Sequence, residues 1–198
     1  MKAVIQLFAV MAVLGVAPAC GEKPAARAGK TVTSGEAAIG GAFSLINHDG
    51  AAVTDKNFHD KPQLVYFGFS YCPDVCPIAL QKMGAAQAML GKREQDLNYL
   101  FISVDPERDT PESLKLYTGA NGFPEGLMGL TGTKDQVDGA KAAFKVYSQK
   151  VPTPDSAAEY TIDHSDIIYL MNKDGSFGEF FTGRSTPAEM VTAIRARL

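Results

Sequence analysis

Short unbroken apolar runs alternate along this chain with longer stretches in which apolar residues recur every three or four positions. LVYFGF, residues 64–69, has no polar member and suits a strand buried on both faces of a parallel sheet. NYLFISVD, residues 98–105, reads as a second strand of the same kind. Between them the helical period runs from Pro77 to about Leu90, with proline in the first turn and Gly91 closing the end. Upstream, FSLINHDGAAVT, residues 43–54, alternates about a His-Asp-Gly turn and predicts a β-hairpin.

The second half repeats the pattern. TPESLKLYTGA opens with Thr110 as a helix cap and Pro111 at the first turn, and Thr133 caps a predicted helix from Lys134 to about Phe144. DIIYLMNKDGSFGEFF predicts a strand, a Lys173-Asp174-Gly175 turn and a returning strand. The last stretch, STPAEMVTAIRARL, predicts a closing amphipathic helix capped by Ser185 or Thr186. The segment from Tyr147 to Asp163, with Pro152 and Pro154, reads as the longest loop, leading directly into His164. This order implies an α/β fold of thioredoxin-like type: a central mixed sheet with helices on both faces and an N-terminal β-hairpin.

Composition narrows the function classes. The 198 residues carry a formal charge of −3 and no basic run able to follow phosphates, so nucleic acid is not the expected partner. Lys2, an apolar run from Ala3 to Val16 and Ala17-Pro18-Ala19 have the form of an export signal over residues 1–19. Its removal takes the 19 basic residues to 18 against 22 acidic ones, a charge of −4, and leaves Cys20 first. Two readings compete at Cys20. A cysteine at the junction suits lipid attachment, whereas Ala17 stands where a bacterial lipobox usually has leucine and Ala-Pro-Ala also suits ordinary signal peptidase. Residues 20–40 read as a flexible, Gly- and Ala-rich linker and 41–198 as the folded domain, on the periplasmic side of a bacterial inner membrane and touching it only through an N-terminal anchor.

Export leaves Cys72 and Cys76 as the internal cysteines, in YCPDVCP. If that segment is helical, residues four apart share a face and the two sulfurs converge. A helix N-terminus after a buried strand lowers thiol pKa values, and Pro73 and Pro77 stiffen the turn. Two such thiolates form a redox pair or bind a soft metal. Sulfur favours Cu(I), and an added imidazole suits Cu(II), while a closed zinc site would need more ligands.

His48, in the hairpin turn, and His59, in NFHDKPQ, read as solvated residues. His164, in IDHSD before an apolar strand, is the candidate imidazole, although a histidine there is often only hydrogen-bonded structure. Asp163 beside it is a candidate for orienting the ring. SVDPERDTP reads mainly as a strand-to-helix turn shaped by Asp105 and Pro106. Met83, Met89 and Met171 read as core.

FGFSYCPDVCPIAL, SVDPERDTP and DHSDIIYLMNKDG together resemble the three signature blocks of the Sco/SenC family of exported thioredoxin-fold copper proteins, in order from Phe43 to the C-terminus. The resemblance implies that Cys72, Cys76 and His164 bind Cu(I) and Cu(II). It implies a metallochaperone for the dinuclear copper centre of cytochrome c oxidase, with the oxidase copper-site subunit as partner and another periplasmic copper chaperone or thiol reductase as a further one. The alternative is a thiol-disulfide reductase of that subunit's cysteines, using Cys72 and Cys76 as its redox-active pair. Tyr71 departs from the family, where histidine often precedes the first cysteine. A peroxidase related by fold is disfavoured, because Phe69 stands where a threonine would polarise peroxide.

Overall fold

A computed structural model of the chain describes residues 39–154 and 156–198. Residues 1–19, Cys20 and most of the linker lie outside the described residues. The hairpin consists of β1 (Ser44–Asn47) and β2 (Ala52–Thr54), followed by a 3-10 turn at Asp55–Phe58. Then come β3 (Gln63–Gly68), α1 (Val75–Leu90), β4 (Asn98–Ser103), α2 (Pro111–Thr118), β5 (Met128–Thr131) and α3 (Lys134–Phe144). The chain ends with β6 (Ser148–Pro152), β7 (Tyr160–His164), β8 (Ile167–Met171), β9 (Phe177–Thr182) and α4 (Pro187–Arg195).

Seven strands form one mixed sheet in the order β2-β1-β5-β4-β3-β8-β9. The three central strands β3, β4 and β5 are parallel, and β8 joins β3 antiparallel. Every residue of β3 is buried, as its unbroken apolar run requires. Adjacent side chains on β3 point to opposite faces and separate the helices accordingly. Phe67 meets Phe144 of α3 at 5.2 Å between ring centroids, whereas Tyr66 meets Phe101, which meets Tyr117 of α2. Gly68 shares the Tyr66 face, and a Cβ there would lie 2.7 Å from the Cys76 sulfur, so α1 covers that face too. α4 packs against α1. Burying each of these large side chains contributes about 1.5–3 kcal/mol.

The caps follow the sequence signals. Thr110 accepts a hydrogen bond from the Ser113 amide, Thr133 and Gln136 form a reciprocal capping box, and Thr186, not Ser185, caps α4 with Glu189. Three expectations are corrected. The stretch from Tyr147 to Asp163 is no long loop: Ser148–Pro152 and Tyr160–His164 pair as a two-stranded antiparallel ladder separate from the main sheet. Met89 is 50% exposed rather than core, because it falls on the outer face of α1. His48 is not merely solvated, since its Nδ1 lies 3.1 Å from the Thr118 hydroxyl and 3.2 Å from the Gly129 amide, tying the first turn to α2 and β5.

Candidate metal centre

The end of β3 supplies the first part of the site. The chain leaves the sheet at Gly68, and the Cys72 amide donates to the Phe69 carbonyl at 3.1 Å, closing a turn ahead of α1. Only Cys76 lies on the helix; Cys72 precedes it, against the expectation that both share a helical face. The sulfurs still converge, because the Cys72 Sγ accepts the otherwise unpaired Cys76 amide at 3.4 Å. Cys72 is half-buried and Cys76 fully buried, and both are free thiols.

His164 arrives from the far end of the chain as the last residue of β7. Its Nε2 lies 3.3 Å from the Cys76 Sγ. The ring's Nδ1 is 3.1 Å from the Ser165 carbonyl, which can only accept, so Nδ1 carries a proton and Nε2 is the nitrogen turned towards the sulfurs. Phe69 and Tyr66 meet the ring edge-on, at centroid distances of 5.8 and 6.2 Å. Ligand atoms of Cys72, Cys76 and His164 all lie within 4.8 Å of one another, so one ion can touch all three.

The two thiols differ in kind, where the sequence predicted two acidic thiols. Cys72 is pushed down to about 4, chiefly by the hydrogen bond from Cys76, with further help from His164 and the amides of Asp74 and Cys76, against the opposing effect of burial. Cys76 is pushed far up, because its thiol donates to the Cys72 sulfur, because it is buried and because the Cys72 charge is adjacent. The pair therefore holds one proton between two sulfurs.

Asp163 does not orient the histidine. Strand alternation turns it outward and exposed, and the Ser165 carbonyl takes Nδ1 instead. The supports that sequence reasoning missed lie in SVDPERDTP and on β3. Buried Asp109 accepts from the Ser70 amide at 3.1 Å and the Ser103 hydroxyl at 2.6 Å, fixing the residue two before Cys72. Burial raises its pKa. Tyr66 donates to Asp166 at 3.1 Å with its hydroxyl beside Cys76. Buried Asp105 receives Arg108 at 2.5 Å and the Tyr160 hydroxyl at 2.9 Å.

A family profile described as SCO1/SenC matches residues 31–198. The chain belongs to the SCO1/SenC family. It is 44% identical over 162 residues to protein SenC of Rhodobacter capsulatus, a match covering 82% of this chain and 71% of that protein. With the mitochondrial SCO1 homolog of Mus musculus it shares 39% over 166 residues, 83% of this chain but 57% of that protein, so the match spans little more than half of that relative's length. Among solved structures, Bradyrhizobium japonicum ScoI with copper bound superposes with a TM-score of 0.74 at 42% identity, covering 81% of this chain and all of that one. The fold is therefore the thioredoxin-like one of Sco proteins.

Proposed function

We propose that this chain carries copper on Cys72, Cys76 and His164 and delivers it to the copper-site subunit of cytochrome c oxidase, for assembly of the dinuclear centre. The observation that carries this reading is the convergence of two sulfurs and one imidazole nitrogen within 4.8 Å, in a chain 42% identical to a protein solved with copper bound. The donor set suits copper as cargo: two soft sulfurs favour Cu(I), and the imidazole lets the site hold Cu(II) as well. Buried Cys76 and half-buried Cys72 give the site an inner and an outer sulfur, so an incoming thiolate reaches the metal from the Cys72 side.

The asymmetry of the thiols favours a second reading, a thiol-disulfide reductase. The Cys72 thiolate would attack a target disulfide, forming a mixed disulfide and releasing one target thiolate. Cys76 would then attack Cys72, releasing the second target thiol and leaving a Cys72–Cys76 disulfide. That chemistry needs no imidazole.

The deciding experiment mixes copper-loaded protein with the metal-free copper-binding domain of the oxidase subunit and, separately, mixes reduced metal-free protein with the same domain in its disulfide form. Carriage predicts copper transfer that His164→Ala abolishes. Full retention of activity by His164→Ala, confined to the disulfide target, would favour the reductase.

Residues 1–19 serve as a signal peptide, Cys20 bears a lipid, residues 20–40 form the tether, and the domain from residue 41 works on the periplasmic side of the inner membrane. Another periplasmic copper chaperone or thiol reductase would supply the metal or the electrons.

A further inference from the structure

Arg108 is not among the three ligand candidates, yet it joins the segments that carry them. Its side chain is mostly buried, at 16% exposure. Nε donates to Asp105 at 2.5 Å, and Nη1 donates to the carbonyls of Ala158 at 3.1 Å and Tyr160 at 3.0 Å. The guanidinium lies 3.7 Å from the centroid of the Tyr160 ring, 4.8 Å from that of Tyr71 and 5.8 Å from that of Phe69. The Tyr160 hydroxyl closes the circuit on the second oxygen of Asp105.

Three remote stretches thus meet at one cation. Tyr71 immediately precedes Cys72. Tyr160 opens β7, and His164 ends it. Among the described residues, the β6–β7 ladder pairs with no strand of the main sheet. Arg108 supplies two hydrogen bonds to the ladder's end and one face to the cysteine turn.

We propose that Arg108 is a positioning residue that sets the reach of His164 towards Cys72 and Cys76, by clamping the loop end of the β6–β7 ladder to the turn bearing Tyr71. This inference rests on the copper-carrying reading of the site. It gives Tyr71, the departure from the family's usual histidine, a role: its ring lies against a guanidinium already stacked on Tyr160. Lysine cannot replace this arrangement, because a single ammonium does not bond a carboxylate and two carbonyls in a planar fork while stacking on aromatic faces.

The test compares Arg108→Met, Arg108→Lys and Tyr71→Ala in the otherwise intact chain. In the reduced, metal-free protein, amides of residues 161–164 should exchange about tenfold faster or more in Arg108→Met, the ratio expected when a charge-assisted hydrogen bond is lost, while β3 and β4 keep their rates. Loaded with Cu(II), Arg108→Met should shift the copper hyperfine splitting and the sulfur-to-copper absorption band. Arg108→Lys should fall between it and wild type, and Tyr71→Ala should shift the band with the thermal midpoint unchanged. Wild-type exchange at 161–164 in both Arg108 variants, or faster exchange spread evenly over the domain with an unaltered copper spectrum, overturns the proposal. If Arg108→Met does not fold, Arg108→Lys and Tyr71→Ala carry the same comparison. A wild-type protein that takes up no copper contradicts the copper reading, and the exchange rates then decide on Arg108 alone.

Discussion

The Cys76 Sγ and the His164 Nε2 lie 3.3 Å apart although 88 residues separate them in sequence. That closeness requires two constructions to agree: a strand-to-helix turn at the end of β3, and a separate ladder whose last residue is the histidine. The same contact puts an imidazole nitrogen beside two sulfurs of unlike acidity, and the expected behaviour follows from it.

Between about pH 4 and the ordinary thiol value of 9.0, the folded pair holds one proton where the unfolded chain holds two. The reduced protein should therefore gain stability as pH rises across this window, and lose that contribution as pH falls through about 4. Urea denaturation at several pH values should give a midpoint that climbs with pH in wild type and climbs less in Cys72→Ser. Iodoacetamide should label Cys72 from pH 5.5 upward at a nearly constant rate and leave Cys76 unlabelled until the protein unfolds. A labelling rate for Cys72 that rises tenfold per pH unit up to 9 would contradict the assignment.

Oxidation to a Cys72–Cys76 disulfide ties up both sulfurs and should abolish the site. The disulfide form should bind Cu(I) more than about 100-fold more weakly than the dithiol, beyond the 10–100-fold loss typical of outer-shell partners. Competition with a chelator of known affinity reads the ratio; equal affinities would refute redox gating.

Gly68 has a packing reason to be glycine. A Cβ there would lie 2.7 Å from the Cys76 sulfur and about as close to the rings of Phe101 and Tyr66. Gly68→Ala should cost ~1–3 kcal/mol in chemical denaturation, the usual price of overpacking, and should weaken copper binding by moving Cys76.

Asp109 holds Ser70 and Ser103 from below. Asp109→Ala strands the buried Ser103 hydroxyl and the partly buried Ser70 amide and should destabilise the fold by about 1–3 kcal/mol, whereas Asp109→Asn, which keeps an acceptor, should cost less. Equal losses in the two variants would show that the carboxylate's charge, not its hydrogen bonds, matters there.

These outcomes also show which parts of the molecule were readable beforehand. β3 and β4 were legible because strands buried on both faces have unbroken apolar centres, and Thr110 and Thr133 were legible because a cap is a local interaction. The two cysteines were legible from spacing, and His164 chiefly through the family's third block. The β6–β7 ladder was not: its exposed, polar, proline-bearing strands have no clear alternation, and their place depends on Arg108, some fifty residues away. The split in thiol acidity was equally hidden, since it arises from which sulfur is buried and which one accepts the shared proton. Asp163 misled because adjacency in a strand means opposite faces.

The central claim is that one copper ion binds two sulfurs and one imidazole nitrogen. Copper K-edge X-ray absorption of the reduced, Cu(I)-loaded protein, beside His164→Ala and Cys72→Ser, tests it most directly. The account predicts a wild-type first shell of two sulfurs and one nitrogen, the nitrogen missing in His164→Ala and one sulfur missing in Cys72→Ser. A wild-type shell without nitrogen, or one that either substitution leaves unchanged, would contradict it.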